Sequence, residues 1–115
     1  MTVNQQINLV QNNDETITIA ITDPSQPLQS GQMAPFNLTG ATVAFIRKAS
    51  QATPDTDSSF KSYTATITNA LGGIATVAIP ATDLTVAGTT WWRVDVTSGG
   101  KKLSPNYGPL LVTAV

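Results

Sequence analysis

The sequence predicts an all-β domain, an immunoglobulin-like antiparallel β-sandwich of about seven strands. Three observations carry this prediction. Short segments alternate apolar and polar residues with a period of two, which is the side-chain period of a strand. Turn signals recur at intervals of roughly 8–12 residues, as expected in a sandwich. Threonine, which is β-branched and tolerates water, is frequent in the sequence, whereas charged residues are few.

The N-terminal part predicts two strands and a long loop. A first strand is expected over 5–10, followed by a turn at Asn12-Asn13-Asp14. The segment 16–22 gives the strongest strand signal, because apolar residues occupy every second position and threonines most of the others. Those apolar residues are Ile17, Ile19 and Ile21. The next segment, 24–35, is rich in proline and glycine and is predicted to be a loop.

The middle of the chain predicts three further strands. The segment 41–48 is apolar on both faces, which indicates a central strand, and a polar loop follows it. The segment 60–68 alternates again and is expected to form a hairpin with 74–79 through the glycine-containing turn 69–73. A single helical turn at 81–84 is expected to place Leu84 at the end of the core.

The C-terminal part predicts a hairpin whose first strand carries two adjacent tryptophans. Ser98-Gly99-Gly100-Lys101 fits a tight turn, and counting back from it sets Leu103 opposite Val96. Pro105 must then break or bulge the ladder, and a last strand is expected over 110–115. Because successive side chains of a strand face opposite sides, Trp91 and Trp92 cannot both enter the core.

The two tryptophans therefore receive different interpretations. Trp92 shares a face with Val94 and Val96, so we expect it to be the core tryptophan of the sandwich. Trp91 shares the other face with Arg93 and Asp95. Its ring either covers a neighbouring strand or anchors a contact with another chain, since tryptophan and arginine are enriched in interface hot spots. A weaker alternative is that Trp91 stacks on a sugar ring.

Length and composition describe one domain spanning 1–115 and exclude several classes of function. There is no cysteine and no histidine, so thiolate metal ligands and the commonest general base are missing. The six basic residues form no run, so we expect no nucleic-acid partner. No apolar stretch reaches the length of a membrane span, and the N-terminus lacks a signal-peptide pattern. We therefore expect no membrane association, and synthesis in the cytoplasm of the cell that makes the protein.

The sequence shows no grouping of side chains that predicts catalysis. Its carboxylates stand mostly in turns, where aspartate makes local hydrogen bonds. Asp55-Thr56-Asp57-Ser58 has the spacing of oxygen ligands, but its two carboxylates fall well short of the six to eight oxygens that calcium needs. We interpret this stretch as a solvated polar loop. We predict that the protein is not an enzyme and uses no metal or cofactor.

The order of segments resembles a family of phage proteins. DETITIAITD is followed by NLTGATVAFIRK, by a hairpin ending in GGIATVAIPATDL, by AGTTWWRVDVTSGGKK and by PNYGPLLVTAV. This series is similar to the immunoglobulin-like domain at the N-terminus of upper baseplate proteins and related tail-fibre proteins of tailed bacteriophages. The resemblance covers almost the whole chain. It implies a virion part whose work is attachment, and it brings no catalytic residue.

The resemblance leads to one functional hypothesis and two alternatives. We expect a structural protein of a tailed-phage virion, an immunoglobulin-like adaptor of the tail or baseplate. In the family a helical or fibrous extension usually follows this domain, whereas this sequence ends at Val115, so a stand-alone module that decorates the capsid surface is an alternative. A carbohydrate-binding module that recognises a host surface glycan is the second alternative.

The expected partners are other virion structural proteins, including further copies of the same chain. The first strand, 5–10, and the last, 110–115, are predicted to be exposed sheet edges or interchain contacts. The residues predicted to contact another protein are Trp91, Arg93, Ile7, Leu9 and Val112.

Overall fold

Two β-sheets pack face to face, so the all-β sandwich that the sequence predicts is confirmed. A computed structural model describes residues 3–4, 7–22 and 36–114. The loop predicted over 24–35, the first two residues of the predicted strand 5–10, and Val115 lie outside these residues.

The described residues form nine strands and one turn of 3-10 helix, η1. In chain order they are β1 (Val3–Asn4), β2 (Ile7–Val10), β3 (Glu15–Ala20), β4 (Thr42–Lys48), β5 (Lys61–Thr64), β6 (Thr66–Asn69), β7 (Ile74–Ile79), η1 (Ala81–Asp83), β8 (Gly88–Ser98) and β9 (Lys101–Thr113).

The larger sheet has the strand order β1–β9–β8–β4–β5, with β2 also paired to β9. The smaller sheet has the order β3–β7–β6. Neighbouring strands are antiparallel, except that β1 and β2 run parallel to β9. The predicted last strand therefore lies between β8 and β2, and its prediction as an exposed edge is wrong. Among the described strands β2 pairs only with β9, so it is an edge of the described part of the sheet.

Regular alternation produces the strands that the sequence predicts most clearly. In β3 every second residue is buried, and Ile17 lies opposite Val77 across the antiparallel pair with β7. In β4 both faces carry buried apolar side chains, including Phe45 and Ile46. β4 lies between β8 and β5, as expected of a central strand. Leu84, which follows η1, is fully buried at the end of the core.

The single strand predicted over 60–68 is divided between the two sheets. β5 belongs to the larger sheet and β6 to the smaller one, and Ala65 lies between them. The Ala65 N–H still donates to the Val43 carbonyl at 2.9 Å, so the switch begins directly after this hydrogen bond. The alternation of apolar residues continues through Ala65, which is why the sequence gives no sign of the change of sheet.

Glycines at the two predicted hairpin turns adopt the positive φ angles that these turns need. Gly99 and Gly100 have φ of 58° and 79°, and Ser98 pairs with Lys101 across them. In the β6–β7 turn, Gly73 has φ of 70°. A side chain at Gly73 would also meet the backbone carbonyl oxygens of Ile21 and Phe36. Both the positive φ angle and the lack of space therefore require glycine at this position.

The register of the β8–β9 hairpin agrees with the prediction. Val96 lies opposite Leu103, and the register then shifts so that Val94 lies opposite Asn106. Asp95 therefore faces two residues of β9, Ser104 and Pro105. Proline has no N–H to contribute to the ladder, and the bulge accommodates it without ending the strand.

The core between the sheets is built around Trp92. Its side chain is fully buried, and its ring stacks on Phe45 with ring centroids 5.6 Å apart and planes inclined by 9°. The prediction that Trp92 is the core tryptophan is confirmed. The largest fully buried side chains around it come from both sheets and from the adjoining segments: Ile21, Leu38, Val43, Val77, Ile79, Leu84, Val94, Val96, Leu110 and Val112.

Replacing the two tryptophans should separate the two faces of β8. Trp92→Ala should lower the free energy of unfolding by about 3–5 kcal/mol, because it leaves a cavity in the core. Trp91→Ala should cost about 1 kcal/mol, since it removes mainly one ring contact at the surface. Urea denaturation measures both. Trp92→Phe, which keeps a ring beside Phe45, should lose less than Trp92→Ala. A larger loss for Trp91→Ala than for Trp92→Ala would contradict this assignment of the faces.

Candidate functional site

The candidate site lies on the outer face of the larger sheet, which is the face turned away from the smaller sheet. Trp91, Arg93 and Asp95 occupy alternate positions of β8 and share this face. Cross-strand pairing sets Lys48 of β4 beside Trp91, and Tyr107 of β9 beside Arg93. We call the group formed by Trp91, Arg93, Asp95, Lys48 and Tyr107 the outer-face cluster.

Trp91 is partly buried rather than fully exposed. Its ring lies against Tyr107, with centroids 5.4 Å apart and planes inclined by 33°. The ring therefore covers the neighbouring strand, which is the first of the two interpretations made from the sequence. Part of the indole remains accessible, so the contact with another chain stays a prediction.

Arg93 is the centre of an ion-pair network. Its Nη1 and Nη2 donate to the two carboxylate oxygens of Asp55 at 3.0 and 2.7 Å. Its Nε and Nη2 donate to the two oxygens of Asp95 at 2.9 and 3.1 Å. Planar guanidinium and carboxylate groups match in such forked pairs, which makes them stronger and more directional than single contacts. Arg93 thus joins the sheet to the loop between β4 and β5.

Further groups surround both carboxylates. Lys48 Nζ lies 3.2 Å from Asp55 Oδ1, and Lys102 Nζ lies 3.4 Å from Asp95 Oδ2. The Ser104 hydroxyl donates to Asp95 Oδ1 at 2.7 Å. The side chain of Asp95 is only 7% exposed, whereas that of Asp55 is 47% exposed. Solvent therefore weakens the contacts of Asp95 less than it weakens those of Asp55.

The network shifts the pKa of its members. Hydrogen bonds from Arg93 hold the pKa of Asp55 well below its usual range, and the contact with Lys48 adds to this effect. Burial opposes the ionisation of Asp95, but hydrogen bonds from Arg93 and Ser104 outweigh it and lower the pKa of Asp95. Hydrogen bonds to Asp55 and Asp95 in turn raise the pKa of Arg93. All three groups are therefore charged at neutral pH.

The loop that carries Asp55 is held by its own hydrogen bonds. Asp57 Oδ2 accepts from the Ser59 hydroxyl at 2.6 Å and from the Ser59 N–H at 2.9 Å. The Ser59 Oγ also accepts from the Ala49 N–H at 3.1 Å. Asp55 instead points to Arg93. Across the described residues, no cluster of carboxylates suited to a metal ion is found.

A shallow pocket of about 200 Å³ opens beside Trp91. Its walls combine an aromatic surface with hydrogen-bonding groups. The lining residues are Trp91, Tyr107, Arg93, Lys48, Gln51 and Ser104.

The other residues predicted to contact a protein lie in the core. Ile7, Leu9 and Val112 are 8%, 4% and 1% exposed. The parallel register of β2 with β9 sets Leu9 opposite Val112, and this side of both strands faces the smaller sheet. Their side chains are therefore not surface contacts of the single chain. The exposed side chains of β2 belong to its opposite face, where Val10 is 37% exposed.

Sequence reasoning did not single out Tyr107, Lys48, Asp55 or Ser104 as members of the site. Pro105 signals a bulge in the ladder, and the shift there places Tyr107 beside Arg93, whereas the predicted register continued without a shift would set Tyr107 opposite Trp92 on the core side. Lys48 depends in addition on the pairing of β4 with β8, which joins segments distant in the sequence. Asp55 carries no such signal, since it comes from a loop 38 residues away from Arg93.

Comparison with known proteins adds one structural similarity. No protein-family model and no curated protein matches the sequence. The fold and the outer face define a β-sandwich domain with a polar and aromatic surface on its larger sheet. This sandwich is similar to a solved structure described as the N-terminal domain of phage TP901-1 ORF48. The TM-score is 0.63 at 16% identity, and the match covers 97% of this chain and 89% of that chain.

The identity of 16% makes this a similarity of fold. It extends over both sheets, since it spans nearly all of the chain. The described residues contain no helix long and apolar enough to cross a lipid bilayer.

Acid should weaken the fold through the outer-face cluster. Asp55 and Asp95 have a pKa in the folded chain below their ordinary 3.8, so their contribution is complete above that value and is lost as the pH falls below it. Thermal unfolding between about pH 5 and pH 2 should show this loss.

In Arg93→Gln both carboxylates lose their main partner, so the free energy of unfolding should be lower by about 1–3 kcal/mol at pH 7 and should depend less on pH. Lys101→Gln, in the exposed hairpin turn, is the control. An unchanged pH dependence in Arg93→Gln would contradict the assignment.

Proposed function

We propose that this chain is a structural protein of a tailed-phage virion, an immunoglobulin-like adaptor of the tail or baseplate that works through protein–protein contacts. The observation that carries the proposal is the similarity of fold to the N-terminal domain of a phage protein over 97% of this chain. The order of sequence segments, which resembles the N-terminal domain of upper baseplate proteins, supports the same assignment independently of the coordinates.

The strand order supports the immunoglobulin-like part of the proposal. In constant-type immunoglobulin domains, one sheet contains strands A, B, E and D and the other contains C, F and G. Here β3–β7–β6 correspond to B, E and D, and β9–β8–β4 correspond to G, F and C. The buried tryptophan differs in position, because it lies on β8 rather than on the strand that corresponds to C.

The outer-face cluster is the surface that we assign to protein contacts. Tryptophan, tyrosine and arginine are the residues most enriched at interface cores and hot spots. Arg93 is fixed by two forked ion pairs, and Trp91 rests on Tyr107. Little side-chain freedom is then left to lose on binding, which lowers the cost of forming an interface.

The β2 edge is a second route to assembly. β2 pairs on one side with β9, and among the described strands none pairs with its other side. An unpaired strand edge presents backbone N–H and C=O groups that a strand of another subunit could join. Pairing of this kind needs no exposed apolar side chains, which fits the burial of Ile7 and Leu9.

The location of the protein in the particle tests the proposal. Electron microscopy of the whole virion should show density for this sandwich in the tail or baseplate. Density confined to the head would overturn the adaptor role and favour the alternative of a capsid-surface decoration protein.

A surface variant tests the contact. Trp91→Ala should keep the fold and reduce incorporation into particles, measured by quantitative immunoblotting of purified virions. Leu71→Ala is the matched control, because Leu71 is a large apolar residue that is 73% exposed in the turn between β6 and β7 of the other sheet. Equal incorporation of both variants would contradict the contact role of Trp91 and would mean that its ring only covers Tyr107.

Carbohydrate binding is a second candidate, favoured by the pocket beside Trp91. Gln51, Ser104 and Lys48 place hydrogen-bonding groups around the aromatic ring, as a sugar platform requires. A glycan array followed by titration tests it, and Trp91→Ala should abolish any binding found. No binding across the array would remove this candidate and leave the protein-contact role unaffected.

A further inference from the structure

A second cleft, of about 230 Å³, lies at one end of the sandwich and shares Lys48 with the pocket beside Trp91. Three of its lining residues are basic and one is acidic. The residues that matter to its chemistry are Arg47, Lys48, Lys61, Asp83, Val86 and Thr90.

The cleft carries an excess of positive charge. Lys48 is paired with Asp55, outside the cleft, at 3.2 Å. Lys61 Nζ lies 3.9 Å from Asp83 Oδ1, and Asp83 Oδ2 accepts a hydrogen bond from the Tyr63 hydroxyl at 2.8 Å. Lys61 and Arg47 together face the single carboxylate of Asp83, so at least one positive charge of the cleft has no counterpart.

Arg47 is the source of this excess. Its Nη1 donates to the backbone carbonyl of Asp83 at 2.6 Å, and its Nε donates to Thr90 Oγ1 at 3.4 Å. Both acceptors are neutral. Within the described part of the chain Arg47 makes no salt bridge, in contrast to Arg93, which makes forked pairs with two carboxylates. The guanidinium is thus held in place while its charge remains available.

We propose that this cleft binds a carboxylate group, supplied by an acidic side chain of a neighbouring protein subunit. One excess positive charge matches a singly charged anion. A guanidinium also pairs with phosphate, but inorganic phosphate has no methylene groups to contact Val86, which lines the same cleft. A guanidinium also matches the planar geometry of a carboxylate.

The rim of the cleft fits a side chain of a protein rather than a free ion. Val86 is 75% exposed beside the basic residues, so it can contact the methylene groups of a bound glutamate or aspartate. That the acidic residue belongs to another virion subunit rests on the proposed function, whereas the binding of a carboxylate by the cleft does not.

Titration of the isolated chain tests the site without the virion. Nuclear magnetic resonance would follow the backbone amides of Arg47, Val86 and Thr90 at constant ionic strength. A blocked tripeptide with a central glutamate should produce saturable shifts there, and the same peptide with glutamine should not. Inorganic phosphate should bind more weakly than the glutamate peptide. Equal effects of the two peptides, or tighter binding of phosphate, would overturn the proposal.

Variants of the cleft locate the binding. Arg47→Gln should weaken binding of the glutamate peptide about tenfold, the value of one charge-assisted hydrogen bond. Lys61→Gln, at an exposed side chain, should keep the fold and weaken binding about threefold. Lys101→Gln, in the β8–β9 turn, should bind as the unaltered chain does. If Arg47→Gln does not fold, Lys61→Gln decides: unchanged affinity in Lys61→Gln would overturn the proposal. A chain that binds the peptide but is absent from virions would refute the proposed function alone.

Discussion

The position of β8 between β4 and β9 is the constraint on which both faces of the larger sheet depend. β8 pairs with β4 from Trp91 to Thr97 and with β9 from Gly88 to Ser98. Because its side chains alternate, the register that seals Trp92 into the core also fixes Trp91 and Arg93 on the outer face. A shift of one residue would exchange the two faces. The core and the candidate contact surface are therefore specified by the same hydrogen bonds.

Arg93 extends this order from the sheet to the loop that follows β4. Its ion pairs with Asp55 and Asp95 lie over Ile46, an apolar residue on the outer side of β4 that is only 4% exposed. The larger sheet is thus covered on both sides near its centre, by the smaller sheet on one side and by charged groups on the other. These ion pairs leave the Arg93 side chain little freedom to lose if another molecule binds there.

The sequence predicts best what depends on local pattern. The isoleucines of β3, the Gly99–Gly100 turn, the pairing of Val96 with Leu103 and the position of Leu84 all follow from periodicity and turn chemistry. The change of sheet at Ala65 and the parallel pairing of β2 depend on contacts between distant segments. The burial of Ile7 and Leu9 follows from that pairing. The same limit applies to Asp55, whose partner becomes visible only once the loop is folded onto β8.

The parallel pairing of β2 with β9 has a mechanical consequence. Ile7 lies opposite Leu110, and Val10 lies opposite Thr113, so the two strands run in the same direction side by side. Opposed pulls applied before Ile7 and after Thr113 would load all the hydrogen bonds between them in shear, at the same time. An antiparallel pair pulled from adjacent ends would instead open one bond after another. The geometry of this pair is therefore the one that resists tension along the chain.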